Sequence, residues 1–164
     1  MRVLFMDEGR FGRSSDVRAC WARGLVRPRV PRQVVRESLY AFAAVAPLDG
    51  TGLGWLAPKC NTDAMSRFLL ELLATWPDDR LVRFLDGAGW HRAKRLPVPE
   101  RLRLELLPPY APECNPTEHI WDEVREKAFA NQLFADLAAV EVRLETALAL
   151  LLHDPPRLRK LTCF

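Results

Sequence analysis

Two short apolar runs along the chain each end at an aspartate. Residues 3–6 are fully apolar and are followed by Asp7, which predicts a buried strand that stops at this residue. Residues 81–85 repeat the pattern and are followed by Asp86. We therefore expect two buried strands, each with a carboxylate at its end.

Three segments have the apolar spacing or the start signals of helices. Residues 62–76 carry apolar side chains three and four positions apart, with Asn61 or Thr62 as the cap and Pro77 as the stop. Asn115 suits the N-cap of a second helix in which Glu118 is the third residue. A last helix is predicted over 133–153, and Pro155 and Pro156 are expected to end it.

The remaining periodic segments predict further strands and a short helical piece. A turn at 48–50 is expected to join two of the strands. Pro97 and Pro99 cut the short helical piece off. The helical piece covers 91–96, and the strands cover 17–21, 38–46, 53–56 and 102–107.

Composition indicates one domain, residues 1–164, since 49% apolar residues in 164 suffice for a core around a sheet. No apolar run approaches the roughly 20 residues that a bilayer span needs, and the first residues lack a signal peptide's layout. We expect a cytoplasmic protein that does not enter the membrane. The four cysteines are scattered without a Cys-x-x-Cys pair, which favours buried or idle thiols over a disulfide framework or a zinc site.

The charge of the chain is uneven. Its net charge is +3, but residues 10–37 hold eight arginines and only two acids. A basic stretch beside an acidic remainder suits a protein that holds a polyanion on one side. A solvated arginine-rich hairpin explains the same charge equally well, so charge alone leaves both interpretations open.

Three acids fall at the ends or starts of predicted elements, namely Asp7, Asp86 and Glu118. Carboxylates brought into one cleft raise each other's pKa, and Mg²⁺ or Mn²⁺ relieves that repulsion because hard cations prefer oxygen ligands. Two such ions about 3.5–4 Å apart can clamp both oxygens of a phosphoryl displacement. Taken singly, each aspartate can also be a turn residue, and Glu118 can close a capping box. The order of acids and elements favours the joint interpretation.

Four local patterns resemble the DDE transposases of the Tc/mariner superfamily, in its bacterial insertion-sequence branch. The third, proline-rich pattern is the most specific, and the likeness extends from residue 2 to about residue 150. The patterns are Phe5-Met6-Asp7-Glu8 through Phe11, Trp21-Ala22-Arg23-Gly24, Leu85-Asp86-Gly87-Ala88-Gly89-Trp90-His91, and Leu107-Pro108-Pro109-Tyr110-Ala111-Pro112-Glu113-Cys114-Asn115-Pro116-Thr117-Glu118.

This resemblance implies an α/β, RNase H-like fold with helices on both faces of a mixed sheet. It implies that Asp7, Asp86 and Glu118 are the catalytic residues and hold Mg²⁺ or Mn²⁺ as two ions. The expected reactions are hydrolysis at transposon ends and joining of the 3′-hydroxyl to target DNA, by a homodimer on DNA in the bacterial nucleoid. The DNA-binding candidates are Arg10, Arg13, Arg18, Arg23, Arg27, Arg29, Arg32, His91 and Tyr110.

The sequence departs from the family pattern at three places. Gly87 stands where the family usually has asparagine, and only 31 residues separate Asp86 from Glu118. The chain begins at the first aspartate strand, without the helix-turn-helix region of the family. It is expected to be a product of a split or truncated element, in which a separately encoded segment can supply DNA binding, or a remnant. Two other functions stay open: another RNase H-like nuclease, and a non-catalytic DNA-binding or dimerisation remnant of a transposase.

Overall fold

A five-stranded mixed sheet forms the centre of the protein, in a computed structural model that describes residues 1–86 and 99–163. The strand order is β3-β2-β1-β4-β5. β1, β2 and β3 pair antiparallel, whereas β4 runs parallel to both β1 and β5. The strands are β1 (Arg2–Ser14), β2 (Val34–Ala46), β3 (Thr51–Ala57), β4 (Leu81–Leu85) and β5 (Leu102–Leu106).

Helices cover both faces of this sheet, as the sequence predicted. α1 packs on one face, and α2, α3 and α4 pack on the other, which gives two apolar cores. α2 follows a short 3₁₀ turn at Pro112–Cys114 and continues into a π-helical turn at Arg125–Phe129. The helices are α1 (Thr62–Thr75), α2 (Glu118–Val124), α3 (Leu137–Leu152) and α4 (Pro155–Thr162).

The alternation of side chains along β1 decides which core each residue enters. Leu4 and Met6 are fully buried in the core under α1. Phe11 is buried in the opposite core, under α2 and α3. Because successive residues of a strand point to opposite faces, Asp7 lies on the α2 side of the sheet.

Two strand predictions were wrong. β1 does not stop at Asp7, because its antiparallel pairing with β2 continues as far as Ser14. Residues 17–21 form no strand, and in the described part of the connection between β1 and β2 only Asp16 makes a bridge, to Ala130.

The last helix was predicted too long, and the helix after it was missed. α3 begins four residues later than expected, where Asp136 Oδ1 accepts a hydrogen bond from the Ala139 amide at 2.8 Å. Pro155 does not end the chain's helical structure but begins α4, because proline lacks only an amide that the first turn leaves unused. Asp154 caps this helix by accepting from the Arg157 amide at 3.1 Å. The predicted piece at 91–96 lies outside the described residues.

The structure tests two expectations drawn from composition, the state of the cysteine thiols and the lack of a membrane-spanning segment. All four cysteines are free thiols. None is fully buried, since Cys20 and Cys163 are exposed and Cys60 and Cys114 are half-buried, so of the two expectations, buried or idle thiols, the structure excludes the first. No helix among residues 1–86 and 99–163 is long and apolar enough to cross a membrane.

Arg83 is an unfavourable feature of the core under α1. Its side chain is fully buried, and its Nη1 contacts only the sulfur of Met65, at 3.6 Å. Its Nε and Nη2 have no hydrogen-bond partner among the described residues. Burial lowers the pKa of Arg83 to about 10, while the charge of Glu8 acts in the opposite direction. A buried cation with so few partners costs free energy of folding.

We therefore expect Arg83→Met to raise the free energy of unfolding by about 1–3 kcal/mol, since methionine keeps an unbranched stem and leaves no polar nitrogen unpaired. Chemical denaturation would measure it. Arg103→Met, which removes an exposed arginine of the neighbouring β5, should change the value by less than about 0.5 kcal/mol. A loss of stability in Arg83→Met would contradict the assignment of this arginine as unfavourable.

Candidate active site

The three predicted acids line one cavity of about 410 Å³. Asp7 lies in the middle of β1, just beyond Phe5, the last residue of β1 that pairs with β4. Asp86 directly follows β4, and Glu118 begins α2. The cavity wall is completed by the proline-rich loop and Asn115, with lining residues Leu107, Pro108, Pro109, Tyr110, Ala111 and Pro112 in the loop. The structure therefore brings the three acids to the wall of one cavity, although Asp7 is not at a strand end.

Asn115 ties the start of α2 to β1. Its buried side chain donates from Nδ2 to the carbonyl oxygen of Met6 at 3.0 Å. Its Oδ1 accepts from the Thr117 amide at 3.2 Å. The helix itself begins only at Glu118, with Thr117 at the cap position and no side-chain cap, so the prediction of Asn115 as its N-cap was wrong. The amide of Asn115 itself donates to the carbonyl oxygen of Pro112 at 2.9 Å. The capping box in which Glu118 would accept from that amide is therefore not formed.

α2 then lies across β1, and its Trp121 side chain contacts three alternate residues of the strand, Asp7, Gly9 and Phe11. Trp121 donates from Nε1 to Asp7 Oδ2 at 2.7 Å. Its ring lies against Gly9, where a Cβ would come within 2.9 Å of the indole. The ring also meets Phe11 edge-on, with centroids 5.9 Å apart. Trp121 thus fixes the position of the Asp7 carboxylate. Its ring has room there only because residue 9 is glycine.

Electrostatics confirm that the acids influence one another. Burial, and after it the negative charges of Glu118 and Glu8, raise the pKa of Asp7 to about 7, against the lowering effect of the Trp121 hydrogen bond. Burial also raises the pKa of Glu118; the positive charge of Arg125 opposes this. Asp86 adds to the rise at Glu118. Such a cluster favours protonation or a bound cation.

The donor chemistry suits a hard divalent cation, but the acids are not assembled around one point. Among residues 1–86 and 99–163, no three His, Cys, Asp or Glu side chains are close enough to hold one ion. The site therefore supplies ligands of the right type around one cavity, and a cation would have to draw them closer.

The predicted DNA-binding residues fall into different settings. Tyr110 is fully exposed at the mouth of the cavity. Arg13 pairs with Glu37 at 2.8 Å. Arg18 pairs with Asp16 at 2.9 Å and with Glu126 at 3.2 Å. His91 lies outside the described residues, and the exposed arginines are Arg10, Arg23, Arg27, Arg29 and Arg32.

The sequence did not predict a site role for two residues, Trp121 and Arg125. Trp121 was taken only as a member of the apolar stripe of α2, and Arg125 was not singled out. Their spacing from Glu118, three and seven positions, places all three on one face of a helix. That spacing was the available signal, but it becomes informative only when the strand beneath the helix is known.

Two comparisons at the sequence level place the chain near known proteins. The family model described as DDE superfamily endonuclease matches residues 2–141. An uncharacterized protein of Sinorhizobium fredii, y4pE/y4sA, is 41% identical over 98 residues, which are 59% of this chain and 73% of that protein.

Solved structures of the Mos1 transposase share the fold. The paired-end complex with the left transposon end matches with a TM-score of 0.71 and 15% identity, over 98% of this chain and 51% of that one. The Mos1 mariner paired end complex with Mn matches with a TM-score of 0.64 and 16% identity, over 98% and 53% of the two chains. The present chain thus spans about half of these transposase chains, and the predicted RNase H-like fold is confirmed.

Gly9→Ala should destabilise the protein by about 1–3 kcal/mol, because its Cβ would lie 2.7 Å from the Phe11 ring and 2.9 Å from the Trp121 ring, and neither ring has room to move. Gly54→Ala is the matched control, since its Cβ meets closely only the end of the flexible Leu152 side chain. Thermal unfolding of both variants would test this. Equal stabilities would show that α2 can shift freely over β1.

Asp7→Asn should alter how stability depends on pH in metal-free buffer. The raised pKa means that folding favours the protonated carboxyl, so this contribution is present below about pH 4 and is lost as the pH rises to about 7. The variant should match wild type near pH 4 and exceed it above pH 7 by on the order of 2 kcal/mol. Denaturation across this pH range is the measurement. Asp78→Asn, at an exposed aspartate, should show no such trend.

Proposed function

Because the chain belongs to the DDE superfamily endonucleases, we propose that it is the metal-dependent nuclease and strand-transfer core of a transposase. One observation carries the proposal: Asp7, Asp86 and Glu118, which are far apart in sequence, line one cavity. The proposed reactions are hydrolysis of phosphodiesters at transposon ends and joining of the 3′-hydroxyl to target DNA. Of the similar structures, the two Mos1 complexes are named for paired transposon ends, which supports DNA as the partner.

In this proposal the three acids hold Mg²⁺ or Mn²⁺, two ions in all. When bound, the ions polarise the scissile phosphate and lower the pKa of the attacking group. Trp121 holds Asp7 Oδ2 and so fixes the orientation of this carboxylate, which lines the cavity. Asn115 sets the start of α2, and with it Glu118, against β1. Tyr110 is available at the mouth of the cavity to stack on an unpaired base.

The same proposal assigns DNA binding to the arginines of residues 10–37 whose side chains are exposed and to a further DNA-binding segment. The chain spans about half of the transposases with the same fold, so end recognition, pairing of two ends by a homodimer and action in the bacterial nucleoid are assigned to the whole assembly. A separately encoded segment that contacts DNA is part of this picture.

A non-catalytic DNA-binding remnant is the second candidate, and Gly87, which stands after Asp86 where the family usually has asparagine, favours it. The two candidates differ in whether the cavity binds a divalent cation. They also differ in whether purified protein cuts DNA.

Calorimetric titration with Mn²⁺ is the first test. Wild type should bind saturably, and Asp86→Ala should lose binding, because one of the carboxylates around the cavity is gone. Glu113→Ala is the matched control, since it removes an exposed acid from the 3₁₀ turn before α2, outside the cavity. Nicking of supercoiled plasmid should fall in Asp86→Ala by more than about a hundredfold, which exceeds the usual effect of losing an outer-sphere partner.

Each outcome decides between the candidates. Binding and nicking that both disappear in Asp86→Ala and persist in Glu113→Ala support the nuclease. Absence of Mn²⁺ binding in the wild type leaves the DNA-binding remnant. Nicking of a branched or hybrid substrate in preference to a transposon-end duplex would instead support another RNase H-like nuclease.

A further inference from the structure

Arg125 is a partly buried cation on the same helix face as two residues of the candidate active site. It lies seven residues after Glu118 and four after Trp121, at the first residue of the π-helical turn. Its guanidinium lies over the ring of Phe11, 5.3 Å from the centroid. Along β1 the contacts thus follow one another: Trp121 over Asp7 and Gly9, and Arg125 over Phe11. The same packing that orients the acids also places this arginine.

No carboxylate pairs with Arg125 in the parts of the chain that the structure describes. Its neighbours differ in this respect, because Arg13 and Arg18 both form ion pairs with acids. Arg125 does act electrostatically on Glu118, whose pKa it lowers. It is therefore a cation close to the acids whose positive charge is left available.

A groove of about 320 Å³ opens beside this guanidinium. Polar groups that can donate hydrogen bonds line it, and Phe11 and Phe134 form apolar parts of its wall. The lining donors besides Arg125 are Arg10, Ser14, Ser15, Arg18 and Gln132. One carboxylate, that of Asp16, also lines the groove, and it is paired with Arg18 at 2.9 Å. Among the described residues, Arg125 and Arg10 are the two guanidinium groups of this groove that pair with no carboxylate. Together with the hydroxyl and amide donors they suit a phosphate group, which accepts hydrogen bonds and carries negative charge.

The distance from the acids fits a DNA strand. Phe11 is four residues from Asp7 on β1, about 13 Å at roughly 3.3 Å per residue. Arg125 is seven residues from Glu118, about 10 Å at 1.5 Å per helical residue. A DNA strand offers a phosphate for every 3.4 Å or so of its axis, so a strand at the acids presents a phosphate to this groove within a few nucleotides.

We propose that Arg125 and its groove bind a DNA backbone phosphate a few nucleotides from the bond that is cut, and so set the position of that bond over the acids. This inference rests on the proposed function for the cavity, but the groove itself needs no metal. Binding to DNA in EDTA therefore examines the groove separately from the acids. The partly buried position over Phe11 keeps the guanidinium in one place, as a register contact requires.

The test is fluorescence anisotropy of a labelled duplex in EDTA, with a salt series. Arg125→Met keeps the unbranched stem over Phe11 but removes the charge, and should weaken binding by roughly tenfold, the loss of one charge-assisted contact. The slope of log affinity against log salt should fall by about 0.9, as for one phosphate contact. Arg125→Lys should restore the slope because its charge is kept. Thermal unfolding verifies that each variant is folded.

Lys127→Met is the matched control. It removes a positive charge two residues away, from an exposed position that lines other surfaces of the helix, and should bind DNA as wild type does. Wild-type affinity and slope in Arg125→Met, or an equal loss in Lys127→Met, would overturn the proposal. So would absence of DNA binding by the wild type.

Failure of the proposed function gives a different pattern. If the acids do not cut DNA, wild type shows no metal-dependent nicking, yet Arg125→Met still loses affinity and slope in EDTA. If the groove does not bind phosphate, wild type and Arg125→Met bind alike in EDTA, while nicking still depends on Asp86. In nicking assays a phosphate contact that sets register should raise KM in Arg125→Met and also lower kcat.

Discussion

The hydrogen bond from Trp121 to Asp7 is the contact on which the geometry of the site depends. It joins the first aspartate, in the middle of a central strand, to the helix that carries the third acid. For the indole to reach the carboxylate, α2 must lie close over β1, which requires glycine at residue 9. The tie from Asn115 to Met6 fixes the start of the same helix. These two hydrogen bonds, together with the glycine at residue 9, thus determine the position of Glu118 relative to Asp7.

That arrangement lowers the free energy of unfolding, because it places carboxylates close together. A bound cation would remove this electrostatic repulsion. Burial and negative neighbours raise the pKa of Asp7, so its ionised carboxylate destabilises the folded protein unless a proton or a cation neutralises it. A divalent ion would reverse the sign of this term, because the ionised carboxylate becomes the favoured form. Metal affinity and stability are therefore coupled through the same residue. Arg83, buried without adequate partners on the opposite face of the sheet, adds a second unfavourable term that packing of the two cores must offset.

Local sequence patterns were sufficient for some elements and insufficient for others, for physical reasons. The strand before Asp86, the helix over 62–76 and the membership of the DDE superfamily endonucleases were predictable, since each has a dense local signal. The extension of β1 beyond Asp7 was not, because it is stabilised by pairing with β2, a partner remote in sequence. α4 was missed because prolines were taken as stops, although Asp154 before them is a capping signal. The meeting of the acids could be inferred from their order; the role of Trp121 could not, since an indole donor in an apolar stripe looks like any core residue.

The arginines show why charge counted along a sequence does not locate a nucleic-acid surface. Residues 10–37 carry a large positive excess, yet two of their arginines form ion pairs within the protein. Arg13 pairs with Glu37, and Arg18 pairs with Asp16 and Glu126. Arg125, outside that segment and unremarkable in sequence, keeps its charge available beside the acids. What distinguishes them is the presence of a carboxylate within ion-pair distance, which only the fold determines. A phosphate gains most from a guanidinium that has no other partner and is already held in place, because little entropy is lost on binding. By that criterion the packing of α2 on β1, rather than the basic connection between β1 and β2, governs where DNA would be positioned relative to the acids.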